Sequence, residues 1–372
     1  MEEEKKQNVI FLGAGASKSE GAPLQGELFK EFFVGFNQNR FDNYSNEYEG
    51  VGSPEKLNDI YFKLLEFLSN TFRIKNNIDS LRQNIYPTFE EVLGILEFAS
   101  KRQESFKGYN IGADDSDLQR IREYLIFLIA LVLDESLKHG HGNHKKLLSR
   151  LDEEGTLSKT NFISFNYDLL IDQAIIDLND KFDLDYGIEF TNYFRPGDWV
   201  RPRPERSLLL YKLHGSLNWL FCPTCSSITL YPGEKKVAQL VFRPQYCTTC
   251  NTKMMPIIIP PTFFKEMSNY FLQQIWMKTE LVLRQSKRIF FCGYSFPEAD
   301  IHIKYILKRA ETFRNSNFEI YVINNNPDKL IRITEKKIKK EIEEKRFKRF
   351  FKNGNNIKFI NKSFELFCKE GI

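Results

Sequence analysis

Five times along this chain a short apolar run stops abruptly at a small or polar residue. The runs are Val9–Leu12 before Gly13-Ala14-Gly15-Ala16-Ser17, Thr160–Phe165 before Asn166-Tyr167-Asp168, Leu208–Leu213 before His214-Gly215-Ser216, Arg288–Cys292 before Gly293-Tyr294-Ser295, and Glu319–Ile323 before Asn324-Asn325-Asn326. Apolar runs of this length, without alternation, describe strands buried on both faces. Helical patterns lie between most of them, and strands separated by helices make parallel βαβ units. The expected fold is therefore α/β, a Rossmann-like parallel sheet with helices on both faces. In such sheets ligands bind outside the carboxyl ends of the strands, where every one of these polar clusters falls.

The first exit has the composition of a phosphate-cradling turn. Glycine lets the backbone come close to a pyrophosphate, and the start of the following helix supplies N–H donors. The motif stops short of a full G-x-G-x-x-G, and a plain strand-to-helix turn would use the same residues. At the second exit Asn166 and Asp168 are candidates to line the crevice, although Asp168 would also serve as a helix cap. His214 stands at the third, where a lone histidine serves structure as readily as chemistry. Polar residues at later exits, such as Asn324, suit a ribose hydroxyl.

Between the first two strands the texture is helical. Ile60, Tyr61, Phe62, Leu64, Leu65, Phe67 and Leu68 recur at helical spacing, Thr88-Phe89-Glu90-Glu91 reads as a capping box, and Leu118–Leu137 is strongly apolar. His139, His141 and His144 follow, and histidines at a helix end read as end signals more readily than as metal ligands. Residues 33–157 are thus expected to form a helical insertion, with 1–32 and 158–372 making the Rossmann domain. Two Cys-x-x-Cys pairs, Cys222/Cys225 and Cys247/Cys250, lie 21 residues apart. That spacing reads as a zinc ribbon over 216–258, in which four thiolates close a tetrahedral structural site. A redox pair needs only one such motif. Cys292 and Cys368 read as buried thiols.

Composition narrows the function classes. The chain has 372 residues, is 42% hydrophobic and 27% charged, and carries a net charge of +4. That balance fits a globular protein and demands neither nucleic acid nor an anionic membrane as partner. The highly charged stretch Lys329–Lys352 reads as a solvated helix with Glu341–Lys345 and Glu344–Lys348 pairs. No apolar run reaches the ~18 residues of a membrane helix, the start Met1–Lys6 is charged rather than signal-like, and a cytoplasmic location is expected.

In order, GAGAS, FNYD, LHGS, the paired cysteines, CGYS and VINNN resemble a sirtuin-like NAD-binding domain, most closely the divergent bacterial branch found in anti-phage defence. The resemblance covers residues 8–30 and 158–330. It implies that Gly13, Ala14, Gly15 and Ser17 form the first NAD loop and that Asn166 and Asp168 hold the nicotinamide end. By the same resemblance His214 is the base at the ribose, Gly293 and Ser295 belong to the phosphate-side loop, and Asn324 serves the adenosine side. Departures bear on the substrate: GAPLQGELF stands where deacetylating sirtuins have a GIPDFR-like segment, MPIIIPPTFF where they seat acetyl-lysine, and SFN for a TQN-type triplet. The resemblance implies an NAD+ glycohydrolase releasing ADP-ribose and nicotinamide, with zinc as a structural ion. It also implies a homo-oligomer and association with a HerA-type ring ATPase. A protein deacylase and a non-catalytic NAD or ADP-ribose sensor are the alternatives. In either enzyme a histidine with an ordinary value of ~6.5 can accept a proton at neutral pH.

Overall fold

The structure, a computed structural model, describes residues 7–44, 57–110, 116–194, 200–231, 245–259, 269–298, 300–324 and 333–372. Its strands in chain order are β1 (Asn8–Leu12), β2 (Thr160–Ser164), β3 (Asp183–Asp185), β4 (Ser207–Lys212), β5 (Gly215–Phe221), β6 (Ile228–Leu230), β7 (Met255–Ile258), β8 (Arg288–Cys292), β9 (Glu319–Ile323) and β10 (Lys358–Ile360). Seven form one sheet in the order β10-β9-β8-β1-β2-β4-β3, and every recorded pair in it is parallel. Strands after β1 first add on one side and then, from β8, on the other. The exits of β1 and β8 therefore flank the point where the winding direction reverses, which is where doubly wound sheets open their crevice.

The five apolar runs are all strands, with ends that differ by no more than one residue. β1 and β2 are buried throughout, as strands covered on both faces must be. Aromatic rings lock the register: Phe11 lies opposite Phe291 and stacks on it at 4.8 Å, and on its other side meets Phe165 at 5.5 Å. Each such pair adds roughly 0.5–1.5 kcal/mol beyond its buried area. Helices cover both faces of the sheet. Helices Asn143–Glu153, Leu170–Ile176 and Phe364–Glu370 pack as one group, and Tyr270–Gln285 packs on Ile301–Thr312. The charged helix spans Ile333–Phe350, with a Lys348–Glu344 pair at 3.3 Å. Its expected start at 329–332 lies outside the described residues, as do Asn325, Asn326 and Met1–Lys6.

Packing divides the chain into two compact units, 1–21 with 140–216 and 263–372, and 22–139 with 217–262. The first holds the seven-stranded sheet. In the second, helix Asp117–Leu137 is buried almost all round from Tyr124 to Leu133, which its unbroken apolar run requires. Helices Leu28–Asn37, Leu57–Phe72 and Phe89–Arg102 pack around it. The expected capping box is present: Thr88 Oγ1 accepts from Glu91 N at 3.1 Å, and Glu91 Oε2 accepts from Thr88 N at 2.6 Å. A small sheet, β6-β5-β7, completes this unit. Among the described residues no helix is long and apolar enough to cross a membrane.

The histidine run departs from expectation at its last member. Gly142, at φ +66°, turns the chain into a new helix, and His144 lies in that helix's first turn, buried. It ends nothing. His144 packs against Glu20 instead, whose Oε1 accepts from His144 N at 3.0 Å and lies 3.1 Å from Nδ1.

Candidate functional site

At the reversal point two loops meet backbone to backbone. Gly13 N donates to Cys292 O at 3.0 Å and Gly15 N to Gly293 O at 2.9 Å. A Cβ on Gly13 would fall 2.6 Å from Gly293 O, and one on Gly15 2.8 Å from Gly293 Cα. One on Gly293 would fall 2.2 Å from Ala16 N, and Gly293 also takes φ +61°, which favours glycine. Loop contact alone therefore requires these glycines, before any phosphate is considered. Ala14 opens the short helix Ala14–Lys18 between them, and Ser295 is exposed on the partner loop.

From this double loop Ser17 reaches across to the exit of β2. Its hydroxyl donates to Asp168 Oδ2 at 2.6 Å and accepts from Asn166 Nδ2 at 2.7 Å. The second Asn166 amide hydrogen goes to Gly13 O at 3.0 Å. With both amide hydrogens committed, Oδ1 is the Asn166 atom able to accept from a water or hydroxyl. Asp168 Oδ1 accepts from Leu170 N at 3.2 Å, although the residue at the cap position of that helix is Leu169.

His214 is 3% exposed and sits 3.1 Å from Phe165 O through Nδ1. A carbonyl only accepts, so Nδ1 carries the proton in the neutral ring and Nε2 is the basic nitrogen. Phe165 and Tyr167 bracket the ring at 5.7 and 6.3 Å. Trp276 Nε1 donates to Leu213 O at 3.0 Å and holds the turn before it. The structure thus brings Gly13, Gly15, Ser17, Asn166, Asp168 and Gly293 into one bonded set, with His214 tied to the same β2 exit.

Asn324 lies farther along, at the end of β9, and its Nδ2 donates to Glu343 Oε1 at 2.6 Å. Burial pushes the Glu343 carboxyl up, against the pull of that hydrogen bond. Asn324, Lys340, Glu343 and Asn361 line a small cleft there.

Two buried charged residues near these histidines do not stand out in the sequence. One is Glu20, the acceptor for His144. The other is Lys212, the last residue of β4, whose Nζ donates to Asp168 O at 2.5 Å and pairs with Asp172 at 3.2 Å. The available signal was a lysine inside an otherwise apolar strand, two residues ahead of the histidine.

In the second unit the cysteines form two turns of like build. Ser226 N donates to Cys222 O at 3.0 Å and Asn251 N to Cys247 O at 2.8 Å. Ser226 and Asn251, each directly after a second cysteine, take φ +58° and +57°. The four sulfurs lie within 4.8 Å of one another, with Cys222–Cys250 at 3.4 Å and Cys225–Cys247 at 3.5 Å. A tetrahedral zinc with bonds of about 2.3 Å sets its sulfurs about 3.8 Å apart, so the set fits that ion. The Ser227 hydroxyl, then the N–H groups of Thr249 and Cys250, bring the Cys247 thiol down to about 5. A site of this kind is closed and structural.

The model of the SIR2-like domain matches residues 160–360, more than half of the chain. No curated protein matches it. Among solved structures it is similar to Sir2Tm bound to a propionylated peptide, at 14% identity over 98% of this chain and 92% of that one, with a TM-score of 0.38. It is also similar to a Sir2 homologue in complex with NAD, at 12% identity over 99% of this chain and 88% of that one, with a TM-score of 0.40. By the match to its domain model, this chain belongs to the SIR2-like family.

Proposed function

We propose that the chain is an NAD+ glycohydrolase of the sirtuin-like type that releases nicotinamide and ADP-ribose. The observation that carries this reading is the hydrogen-bonded set Ser17–Asn166–Asp168 beside His214, in a chain of the SIR2-like family. Cleaving the bond to nicotinamide builds positive charge at the ribose C1′, so the site must bring a water to that carbon and receive a proton. Asn166 is suited to the first task, because Ser17 and Gly13 take its amide hydrogens and leave Oδ1 to accept from the water. His214 is suited to the second through Nε2, with Phe165 O fixing the tautomer. Asp168, held by Ser17, supports the nicotinamide end. Gly13, Ala14, Gly15, Gly293 and Ser295 serve the phosphates, and Asn324 the adenosine ribose.

Hydrolysis is favoured over deacylation by Leu24, Gln25 and Gly26, which stand where a deacetylase carries its GIPDFR-like segment. The segment expected to differ at the acetyl-lysine seat runs into 260–264, outside the described residues. The deciding assay is nicotinamide release from NAD+ without peptide. Release that occurs only with an acylated peptide assigns a deacylase, and NAD+ binding with no turnover under any activating condition assigns a sensor. The wider role follows the resemblance: an abortive-infection effector in the cytoplasm, homo-oligomeric and activated by a HerA-type ring ATPase. Light scattering of the chain with and without that partner tests the assembly, and a monomer in both removes it.

A further inference from the structure

We propose that Lys212 is a positioning residue: its buried ammonium ties the Asn166–Asp168 turn to the end of β4, two residues before His214, and sets the spacing of the two. The inference rests on the reading of this site as the one that cleaves NAD+. Lys212 is 0% exposed, Asp172 1% and Tyr186 0%. The ammonium has three acceptor oxygens in reach, Asp168 O at 2.5 Å and Asp172 Oδ2 and Oδ1 at 3.2 and 3.3 Å. Tyr186 adds a hydroxyl donated to Asp172 Oδ1. Burial raises the Asp172 carboxyl while Lys212 opposes it.

A buried ion pair is an expensive way to stabilise a fold, since apolar residues of similar volume commonly do as well. What it adds is direction. Asn166 and Asp168 are fastened to the β1 loop through Ser17, and His214 is fastened to β2 through Phe165 O. Lys212 makes the remaining link, from the side chain of β4 to the main chain of Asp168, alongside the Leu213 N to Ser164 O bond at 3.1 Å. Asp172 balances the charge of the ammonium from the helix that follows the turn. Removing the brace leaves the groups present but lets their spacing drift, and a misplacement of about 1 Å costs about 100-fold in rate.

The experiment compares wild type, Lys212→Met with Asp172→Leu together, and Asp172→Asn alone. The double variant removes both charges and leaves neither stranded. It is expected to keep the wild-type melting temperature and ADP affinity while kcat for nicotinamide release falls at least tenfold. Asp172→Asn keeps the lysine bond to Asp168 O, and is expected to lower the melting temperature while kcat stays within threefold. Wild-type kcat in the double variant overturns the inference. Should the double variant not fold, Asp172→Asn decides, and a kcat that falls in step with its stability overturns it too. If wild type itself releases no nicotinamide, the glycohydrolase reading fails separately. The brace is then read by calorimetry: the double variant binds NAD+ at least tenfold more weakly and ADP equally, because ADP lacks the nicotinamide ribose. Equal NAD+ affinity overturns it.

Discussion

Glu20 is the residue whose replacement has the most calculable effect. One of its oxygens, Oε1, takes both the backbone N–H and the ring Nδ1 of His144, while Oε2 is buried with no hydrogen-bond partner. Burial alone would push this carboxyl up, yet the side-chain bond, the backbone bond and the charge of His144 bring it from 4.5 down to about 2. At 1.36 kcal/mol per unit, that depression corresponds to about 3 kcal/mol of folding stability. A carboxyl lowered on folding stabilises above its unfolded value and loses that contribution as the pH falls through the folded one. The full amount is therefore present above pH ~4.5 and disappears toward pH ~2. Glu20→Gln keeps the shape and an acceptor oxygen but not the charge. Urea unfolding of both proteins from pH 7 to pH 3 should show the variant about 2–3 kcal/mol less stable at neutrality, with the gap closing on acidification. Equal stability at pH 7, or a gap that widens in acid, would show that the pair is not held as described.

Other outcomes follow from the same geometry. Gly293→Ala sets a methyl against the backbone of Gly15 and Ala16 at positive φ, and should cost about 2–4 kcal/mol in the ligand-free protein, read as a lower melting temperature. An unchanged melting temperature would return the glycines to a purely ligand-facing role. His214→Ala and Asn166→Ala should each cut nicotinamide release by roughly 10²–10⁴-fold with zinc content and circular dichroism unchanged. Retained turnover in both removes the site assignment. Elemental analysis should find one zinc per chain, lost in Cys247→Ser or on chelation, and failure to find it would leave the cysteines a thiol cluster.

How far the sequence carried the fold depended on how local each signal was. Strands β1, β8 and β9 were legible almost to the residue because an apolar run against glycine or asparagine is a local contrast. The Thr88 box and the twin cysteine turns were legible for the same reason, since all their atoms lie within a few residues. The candidate site was legible only as a set of strand ends. Ser17 bonding Asn166 and Asp168 joins residues 149 and 151 apart, and no spacing rule announces such a contact. Lys212 was hidden by type, because a lysine suggests a surface and this one is enclosed. His144 was hidden by context: one helix ends at Leu137 and Gly142 caps the start of the next, and only the fold shows that the imidazole belongs to the second.

The order of strands has a consequence for how the chain comes to be folded. β1 pairs Asn8 with Thr160 on one side and with Arg288 on the other. As the chain leaves the ribosome at about 5–20 residues per second, β1 waits on the order of tens of seconds for its second neighbour. The long helical stretch is made during that wait, and its helices can pack on one another before residues 217–262 complete their unit. The sheet cannot, because its central strand stays open on one edge until β8 arrives. Synthesis speed over residues 160–290 thus sets how long a buried apolar strand remains exposed, and the parallel sheet closes late and slowly, as pairings between distant segments do.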